Sequence, residues 1–172
     1  PREVIFTSGT TDSLNLVAFS YGLKHLKKDD VILISESEHA SNILPWFKVS
    51  ELTGAKVEFI PLDEEGRITP SNVKKVINNK VKVISIAQVG NVLGYLVDVK
   101  AIAKIAHDNG AIIVVDGAQS VPHIKVDFKN LDIDFLAFSA HKMCGPTGVG
   151  VLVGKFDLLQ NMDPIRMGGG MN

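Results

Sequence analysis

Residues 135–150 read Phe-Leu-Ala-Phe-Ser-Ala-His-Lys-Met-Cys-Gly-Pro-Thr-Gly-Val-Gly, and this stretch contains both a strand and a reactive type of side chain. The apolar start is typical of a buried strand, which ends at residues 139–142 because glycine and proline follow. A lysine at such a strand end is expected to have its stem in apolar surroundings, which disfavours the ammonium form. The amine of Lys142 would then be able to attack a carbonyl. A surface lysine in a loop is the alternative, and the stretch alone does not decide between them.

Outward from this stretch, strands and helices alternate along the whole chain. Apolar runs predict strands at 4–7, 31–34, 56–61, 81–87, 112–115, 134–139 and 150–153. Helical spacing of apolar residues lies between several of them, for example at 14–21 and at 99–106, with Asp98 as an N-cap and Gly110 as a C-terminal stop. We therefore expect an α/β fold of three layers, α/β/α, with a mostly parallel (mixed) central sheet covered on both faces.

The composition excludes several classes of protein. The chain has 172 residues, 45% of them hydrophobic and 22% charged, as in globular α/β proteins. A formal net charge of −1 disfavours a nucleic-acid partner, and no apolar run reaches the roughly 18 to 20 residues of a membrane span. The single cysteine excludes an internal disulfide and fits a reducing compartment. The sequence thus predicts a cytoplasmic protein that binds neither nucleic acid nor membrane.

The first strand leads into Ser8-Gly9-Thr10-Thr11-Asp12, where a helix is predicted to begin. Free N–H groups and hydroxyls at a helix start form an anion site that suits a phosphate. Simple N-capping by Ser8 or Thr10 is the alternative. The spacing matches neither a Walker loop nor the Gly-x-Gly-x-x-Gly pattern, which disfavours nucleoside triphosphates and dinucleotides.

Polar side chains follow successive predicted strands, and the carboxyl ends of parallel strands meet at one edge of a sheet. The set comprises Thr10, Thr11, His39, Asn91, Asp116, Gln119, Ser139, His141 and Lys142. Taken alone, a histidine such as His39 is more often structural, and Asn91 between glycines is more often a turn former. Together the set offers an anion site, a carboxylate at the end of an apolar strand, a flat ring and an amine, which are the requirements of pyridoxal phosphate. A metal site fits less well, because the five histidines lack pair spacing and the cysteine has no companion.

With these motifs in place, the chain resembles the class V aminotransferases among the fold-type I pyridoxal phosphate enzymes. Within that family it resembles the group II (Suf-type) cysteine desulfurases and selenocysteine lyases. The resemblance covers nearly all of the chain. It rests on the motifs at 9–11, 38–46, 91–94, 116–119 and 139–148.

The resemblance implies roles for the predicted residues. Lys142 would bind the cofactor covalently and move protons at the substrate α-carbon, and Asp116 would pair with the pyridine nitrogen. His39 would stack on the cofactor ring and could act as an acid or base. Gln119 and Asn91 would lie near the phenolic oxygen and the substrate carboxylate. The phosphate would be held by Thr10, Thr11, Ser139 and His141.

The resemblance also implies an activity. The family reaction converts L-cysteine to L-alanine and passes the sulfur to an enzyme cysteine as a persulfide, for iron–sulfur cluster or other sulfur assembly. A selenocysteine lyase, or another class V lyase or aminotransferase, is the alternative with the same cofactor. A non-catalytic domain that retains the fold is a weaker alternative, because a buried Lys142–Asp116 pair would give little net stability.

We expect residues 1–172 to form the large cofactor-binding domain of a longer homodimeric enzyme that works with a sulfur-acceptor protein. An N-terminal segment and the small C-terminal domain would be absent, and the fragment by itself would be inactive. Cys144 is predicted to serve packing, so that the persulfide cysteine would lie outside this chain.

Overall fold

The computed structural model describes residues 1–169, and a twisted sheet runs through the middle of them. The apolar runs form the predicted strands, most of them within one residue of the expected bounds. The strands are β1 (Val4–Thr7), β2 (Val31–Ser35), β3 (Lys56–Ile60), β4 (Val81–Ala87), β5 (Ile112–Asp116), β6 (Phe135–Ser139) and β7 (Gly150–Gly154).

The sheet is mixed and mostly parallel, as predicted. Its strand order is β1-β7-β6-β5-β4-β2-β3. From β3 to β6 all neighbours are parallel, whereas β7 runs antiparallel to both β6 and β1. The carboxyl ends of β1 to β6 and the start of β7 therefore lie at one edge, which we call the carboxyl edge.

Helices cover the two faces of the sheet. They are α1 (Thr10–Leu16), α2 (Leu23–His25), α3 (Leu44–Thr53), α4 (Pro70–Val76), α5 (Val99–Asp108), α6 (Ser120–His123), α7 (Phe128–Leu131) and α8 (Phe156–Gln160). In α5, Asp98 accepts a hydrogen bond from the N–H of Ala101, 3.0 Å away, and so provides the predicted N-cap. The strand and helix prediction from apolar spacing is confirmed by these elements.

Each face of the sheet has its own hydrophobic core, because successive strand side chains point to opposite sides. On one face Leu33, Ile84 and Ile113 belong to the cluster that includes residues of α4 and α5. On the other face Ile32 and Val114 belong to the cluster that includes Leu14 of α1 and Trp46 of α3. Burial on both faces explains why β2 and β5 are apolar without alternation.

The helix that begins at Thr10 changes its winding after α1. Residues Val17–Gly22 are π-helical and lead into α2. Apolar spacing did not predict this π-helical segment. Gly22 lies close to α3, where an added Cβ would be 3.2 Å from atoms of both Trp46 and Val49. The absence of a side chain at this position therefore lets the helix pack closely on α3.

No helix among the described residues has both the length and the apolar character that a membrane crossing needs.

Candidate functional site

A cavity of about 400 Å³ opens at the carboxyl edge of the sheet, between the ends of strands that are far apart in sequence. All nine predicted site residues line it. The complete lining is Thr10, Thr11, His39, Ser41, Ala87, Val89, Asn91, Asp116, Ala118, Gln119, Ser139, His141 and Lys142. The structure thus brings together side chains that sequence reasoning could place only at separate strand ends.

The predicted anion site forms where the start of α1 meets the end of β6. Thr7 and Ser139 flank Gly150 of β7 as its partners on the two sides, which places the turn after β1 beside Ser139. Gly150 has no side chain, and a Cβ there would be 2.3 Å from Cα of Gly9. The close approach of these two glycine backbones allows the turn to lie on β7.

Hydroxyl groups join the two sides of this anion site. Ser139 Oγ accepts a hydrogen bond from the Thr10 N–H at 2.6 Å and lies 2.6 Å from Thr10 Oγ1. Only one hydrogen is needed between the two hydroxyls, so that the second O–H remains able to donate to a ligand. The alternative of N-capping by Ser8 or Thr10 is wrong, because Gly9 is the N-cap and the first helical N–H, of Thr10, donates to Ser139 instead.

His39 follows β2, and its ring is held by the short 3₁₀ turn Ala40–Asn42. Its Nδ1 accepts a hydrogen bond from the Ser41 N–H at 3.1 Å and lies 3.0 Å from Ser41 Oγ. Because Nδ1 is an acceptor, the neutral imidazole carries its proton on Nε2. His39 therefore combines the structural role of an N-cap with a ring that lines the cavity.

Ser41 is a lining residue that sequence reasoning missed. Its hydroxyl lies 2.8 Å from Thr11 Oγ1 and 3.0 Å from Nδ1 of His39, so it connects α1 with the His39 turn. A signal was present in the sequence, since Ser41 lies two residues after His39 at a predicted strand end. Serine is so common at helix starts, however, that its type alone carries no functional information.

Asp116 ends β5 and is 6% exposed. Its Oδ1 accepts a hydrogen bond from the Ala118 N–H at 2.8 Å, and no hydrogen bond from a described residue reaches Oδ2. Burial raises the pKa of this carboxyl, while the Ala118 N–H, Lys142 and His39 act in the opposite direction. A carboxylate in this position is suited to a cationic ligand in the cavity, which would supply the missing partner.

Lys142 lies on the 3₁₀ turn Ala140–Met143 that follows β6 and lines the cavity. The expectation that its stem is packed in apolar surroundings is wrong, because Lys142 is exposed. Ser139 at the strand end is buried and Ala140 is partly buried, whereas the next three residues, 141–143, are exposed. His141 is exposed on the same turn.

Cys144 ends this turn and is also exposed. Its backbone is left-handed, with φ +61°. The prediction that Cys144 serves packing is wrong, because its side chain is exposed and does not enter a core.

The remaining two predicted residues are Asn91 and Gln119. Asn91 is exposed in the turn between Gly90 and Gly94, which a backbone hydrogen bond of 3.2 Å closes. Gln119 is partly buried and directly precedes α6. Both side chains line the cavity.

Comparison with known proteins identifies the family. The model of the family described as "Aminotransferase class-V" matches residues 1–172. The chain belongs to the aminotransferase class V family. This confirms the resemblance that the motifs indicated.

Two similar proteins that match almost the whole chain carry enzyme names. A protein of Halalkalibacterium halodurans named "Probable cysteine desulfurase" is 52% identical over 170 residues, which are 99% of this chain and 42% of the relative. The cysteine desulfurase CsdA from Escherichia coli, in an S-sulfonic acid form, superposes with a TM-score of 0.96 and 40% identity. That match covers 99% of this chain and 43% of CsdA. The chain therefore spans less than half the length of these relatives.

A solved structure of lower sequence identity shows the same fold. A mutant of C-DES with glycine covalently linked to its pyridoxal phosphate cofactor has a TM-score of 0.90 at 22% identity, covering 98% of this chain and 45% of that one. Together with CsdA, this neighbour confirms the predicted α/β fold of the pyridoxal phosphate-dependent transferases.

Proposed function

We propose that this chain is the pyridoxal phosphate-binding large domain of a cysteine desulfurase. The supporting observation is that all nine predicted side chains line one cavity, with the buried carboxylate of Asp116 among them. The relatives named cysteine desulfurase support the same assignment, with identities of 52% and 40% across almost the whole chain.

The residues of the cavity fit the cofactor on chemical grounds. The hydroxyls of Thr10 and Ser139, with Thr11 and His141 beside them, would hold the phosphate. Asp116 Oδ2 has no described donor and would accept the proton of the pyridine nitrogen. Lys142 would provide the amine that bonds the aldehyde carbon. When bound, pyridoxal phosphate supplies an electron sink for the electron pair left on the substrate α-carbon.

Side chains of this chain are assigned to proton transfer and to binding of the substrate. Lys142 moves a proton at the substrate α-carbon, because it is the amine of the cavity. His39 offers the flat face of its ring and a proton on Nε2, since Nδ1 is occupied by the Ser41 N–H. Asn91 and Gln119 provide amide donors for the substrate carboxylate and the phenolic oxygen. Burial raises the pKa of Asp116, whereas Lys142, His39 and a cationic ring nitrogen bound beside it would favour the charged carboxylate.

In the proposed reaction the C–S bond of L-cysteine breaks, the sulfur passes to an enzyme cysteine as a persulfide, and alanine leaves. We assign that cysteine to a part of the protein outside these 172 residues. We also propose that the whole protein is a cytoplasmic homodimer. It would pass the sulfur to an acceptor protein for iron–sulfur cluster assembly. The single cysteine fits a reducing compartment.

Borohydride reduction of the full-length protein with bound pyridoxal phosphate tests the assignment. Peptide mapping is expected to find the label on Lys142 alone, and a Lys142→Ala variant is expected to carry none. Label on another lysine would contradict the role of Lys142. Release of alanine from L-cysteine, measured on the same preparation, tests the desulfurase activity separately from cofactor attachment.

A further inference from the structure

Glu38 is a carboxylate next to the site to which the proposed function gives no role. It lies between Ser35, the last residue of β2, and the 3₁₀ turn Ala40–Asn42. As a whole residue it is partly buried, and it does not line the cavity at the carboxyl edge that contains the nine predicted residues. Its neighbour in sequence, His39, does.

Both oxygens of Glu38 accept hydrogen bonds from fixed parts of the structure. Oε1 accepts from Ser35 Oγ at 2.7 Å and from the Ala87 N–H at 3.0 Å. Oε2 accepts from Asn42 Nδ2 at 2.8 Å. One carboxylate therefore joins the end of β2, the end of β4 and the 3₁₀ turn.

Asn42 makes a second connection to β4. It is fully buried, and its Oδ1 accepts a hydrogen bond from Ser85 Oγ at 2.6 Å. The chain on either side of His39 is thus tied down, at residue 38 to the end of β4 and at residue 42 to its interior. Between these points, the Ser41 N–H holds His39 Nδ1.

We propose that Glu38 is a positioning residue, which fixes the His39 turn across the ends of β2 and β4 and so sets where the His39 ring lies in the cavity. The three hydrogen bonds to Glu38 and the Asn42–Ser85 bond carry this inference. Only the test that measures bound cofactor depends on the proposed function.

A glutamine at position 38 can keep the same connections. Its oxygen would accept from Ser35 and Ala87 in place of Oε1. Its NH₂ group would then face Asn42, which can turn its amide by 180° and present Oδ1 instead. The Ser85 hydroxyl can accept from the turned amide. Glu38→Gln therefore separates the geometry of the connection from its charge.

The charged groups around Glu38 come from several elements. Glu36 and Tyr95 line a second cavity, of about 300 Å³, together with Glu38. Asp116 at the end of β5 acts on Glu38 by charge repulsion, and His39 is its neighbour in sequence. Glu36 is exposed and lies two residues earlier, so Glu36→Gln is a matched control that removes a charge without removing a connection.

The first test needs no cofactor. In the full-length protein without pyridoxal phosphate, nitrogen NMR of the imidazole reports which nitrogen of His39 carries the proton. The wild type, Glu38→Gln and Glu36→Gln are expected to show the Nε2–H form. Glu38→Ala is expected to show a mixture of both forms, because the turn that holds Nδ1 is released.

The second test uses the cofactor. Visible circular dichroism of bound pyridoxal phosphate reports a fixed orientation of the ring in the site. Glu38→Ala is expected to lower the signal per bound cofactor and to weaken pyridoxal phosphate binding by about tenfold, whereas Glu38→Gln and Glu36→Gln retain both. Should Glu38→Ala fail to fold, Ser35→Ala removes one donor to Oε1 and is expected to give a smaller change in the same direction.

Two results would overturn the proposal. One is a folded Glu38→Ala, or Ser35→Ala in its place, with the wild-type His39 spectrum. The other is a Glu38→Gln variant that is folded but behaves like Glu38→Ala, which would show that hydrogen-bond geometry is not what matters. If wild-type protein does not bind pyridoxal phosphate, the proposed function fails while the imidazole spectra still decide the role of Glu38.

Discussion

The hydroxyl of Ser139 accepts a hydrogen bond from the backbone N–H of Thr10 at 2.6 Å, across 129 residues of sequence. Ser139 is 3% exposed and Thr10 is 7% exposed, so this contact is made in a buried part of the carboxyl edge. It joins the end of β6 to the start of α1. The residues proposed to hold the phosphate therefore come from two segments that only the completed sheet brings together.

Ser139→Ala is expected to weaken pyridoxal phosphate binding by about tenfold and to lower the free energy of unfolding by about 1 to 2 kcal/mol, because a buried N–H loses its acceptor. Ser13→Ala is the matched control. Ser13 is also fully buried, with its hydroxyl 2.8 Å from Thr7 Oγ1, but it does not line the cavity. Urea unfolding and cofactor titration should show a similar loss of stability for both variants and weaker binding only for Ser139→Ala. Equal binding by the two variants would contradict the phosphate role.

Gly150→Ala is expected to be strongly destabilising. The new Cβ would be 2.3 Å from Cα and 2.5 Å from N of Gly9, and a backbone contact of this kind is not relieved by side-chain rotation. We expect a loss of at least about 3 kcal/mol in the free energy of unfolding. At Gly90, where the nearest atom to a new Cβ is 4.0 Å away, alanine should change the urea midpoint little. A wild-type midpoint for Gly150→Ala would show that the turn after β1 can move without cost.

Asp116→Asn is expected to separate stability from function. Burial raises the pKa of Asp116, so the folded protein retains a proton that the unfolded chain has already lost as the pH rises above the usual aspartate range. The carboxyl then lowers stability at neutral pH, and asparagine removes this penalty. The cofactor-free variant should be at least as stable as wild type at pH 7. With the cofactor bound, exchange of the substrate Cα proton should slow by about 100-fold or more.

Two measurements check this prediction, namely urea unfolding without cofactor and loss of deuterium from the α-carbon of labelled substrate with cofactor. An unchanged exchange rate would contradict the pairing of Asp116 with the ring nitrogen.

Glu38 makes stability depend on pH over a defined range. Burial is the main cause that raises the pKa of its carboxyl, from 4.5 to about 7, against the hydrogen bonds from Asn42, Ala87 and Ser35. Below pH 4.5 the folded and unfolded states are both protonated and Glu38 contributes no pH dependence. Between pH 4.5 and 7 only the unfolded chain releases the proton, so the stability falls as the pH rises.

The full loss above pH 7 corresponds to roughly 3 kcal/mol, and solvent in the adjoining cavity would reduce it. Urea unfolding of the cofactor-free protein at pH 5 and pH 8 measures this difference. Glu38→Gln should reduce it by most of that amount, whereas Glu36→Gln should leave it unchanged because Glu36 is exposed. Equal pH dependence of wild type and Glu38→Gln would show that Glu38 is not the group responsible.

Most of the fold could be predicted from local sequence because its central strands, such as β2 and β5, are apolar runs buried on both faces. The segment 81–87 has the same bounds in the sequence prediction and in the structure. Strand order could not be predicted, because a local pattern does not say which strands are neighbours. Nor did apolar spacing show the π-helical turn at Val17–Gly22, whose side chains are as apolar as those of an ordinary helix.

The rule that strand ends meet at one edge led to the expectation that nine residues share one crevice, and all nine line one cavity, while their roles stay predictions. The burial expected for Lys142 and Cys144 is not found. The exposure of Lys142 and Cys144 depends on the direction of the chain after Ser139, which packing decides. Glu38 was overlooked for a related reason. Its importance comes from Ser35, Asn42 and Ala87, and the last of these is distant in sequence.

The position of β1 at the sheet edge has a consequence for the protein as it leaves the ribosome. Within the described sheet β1 pairs only with β7, and each of its residues has a partner in 150–153. The strand that pairs with β1 in this sheet is therefore completed only after about 150 further residues have been added. Contacts so distant in sequence form slowly, and β1 is exposed to other chains meanwhile. A nascent chain arrested before residue 150 should consequently be unable to bind the cofactor, although it already contains eight of the nine predicted site positions by residue 141 and the ninth at Lys142.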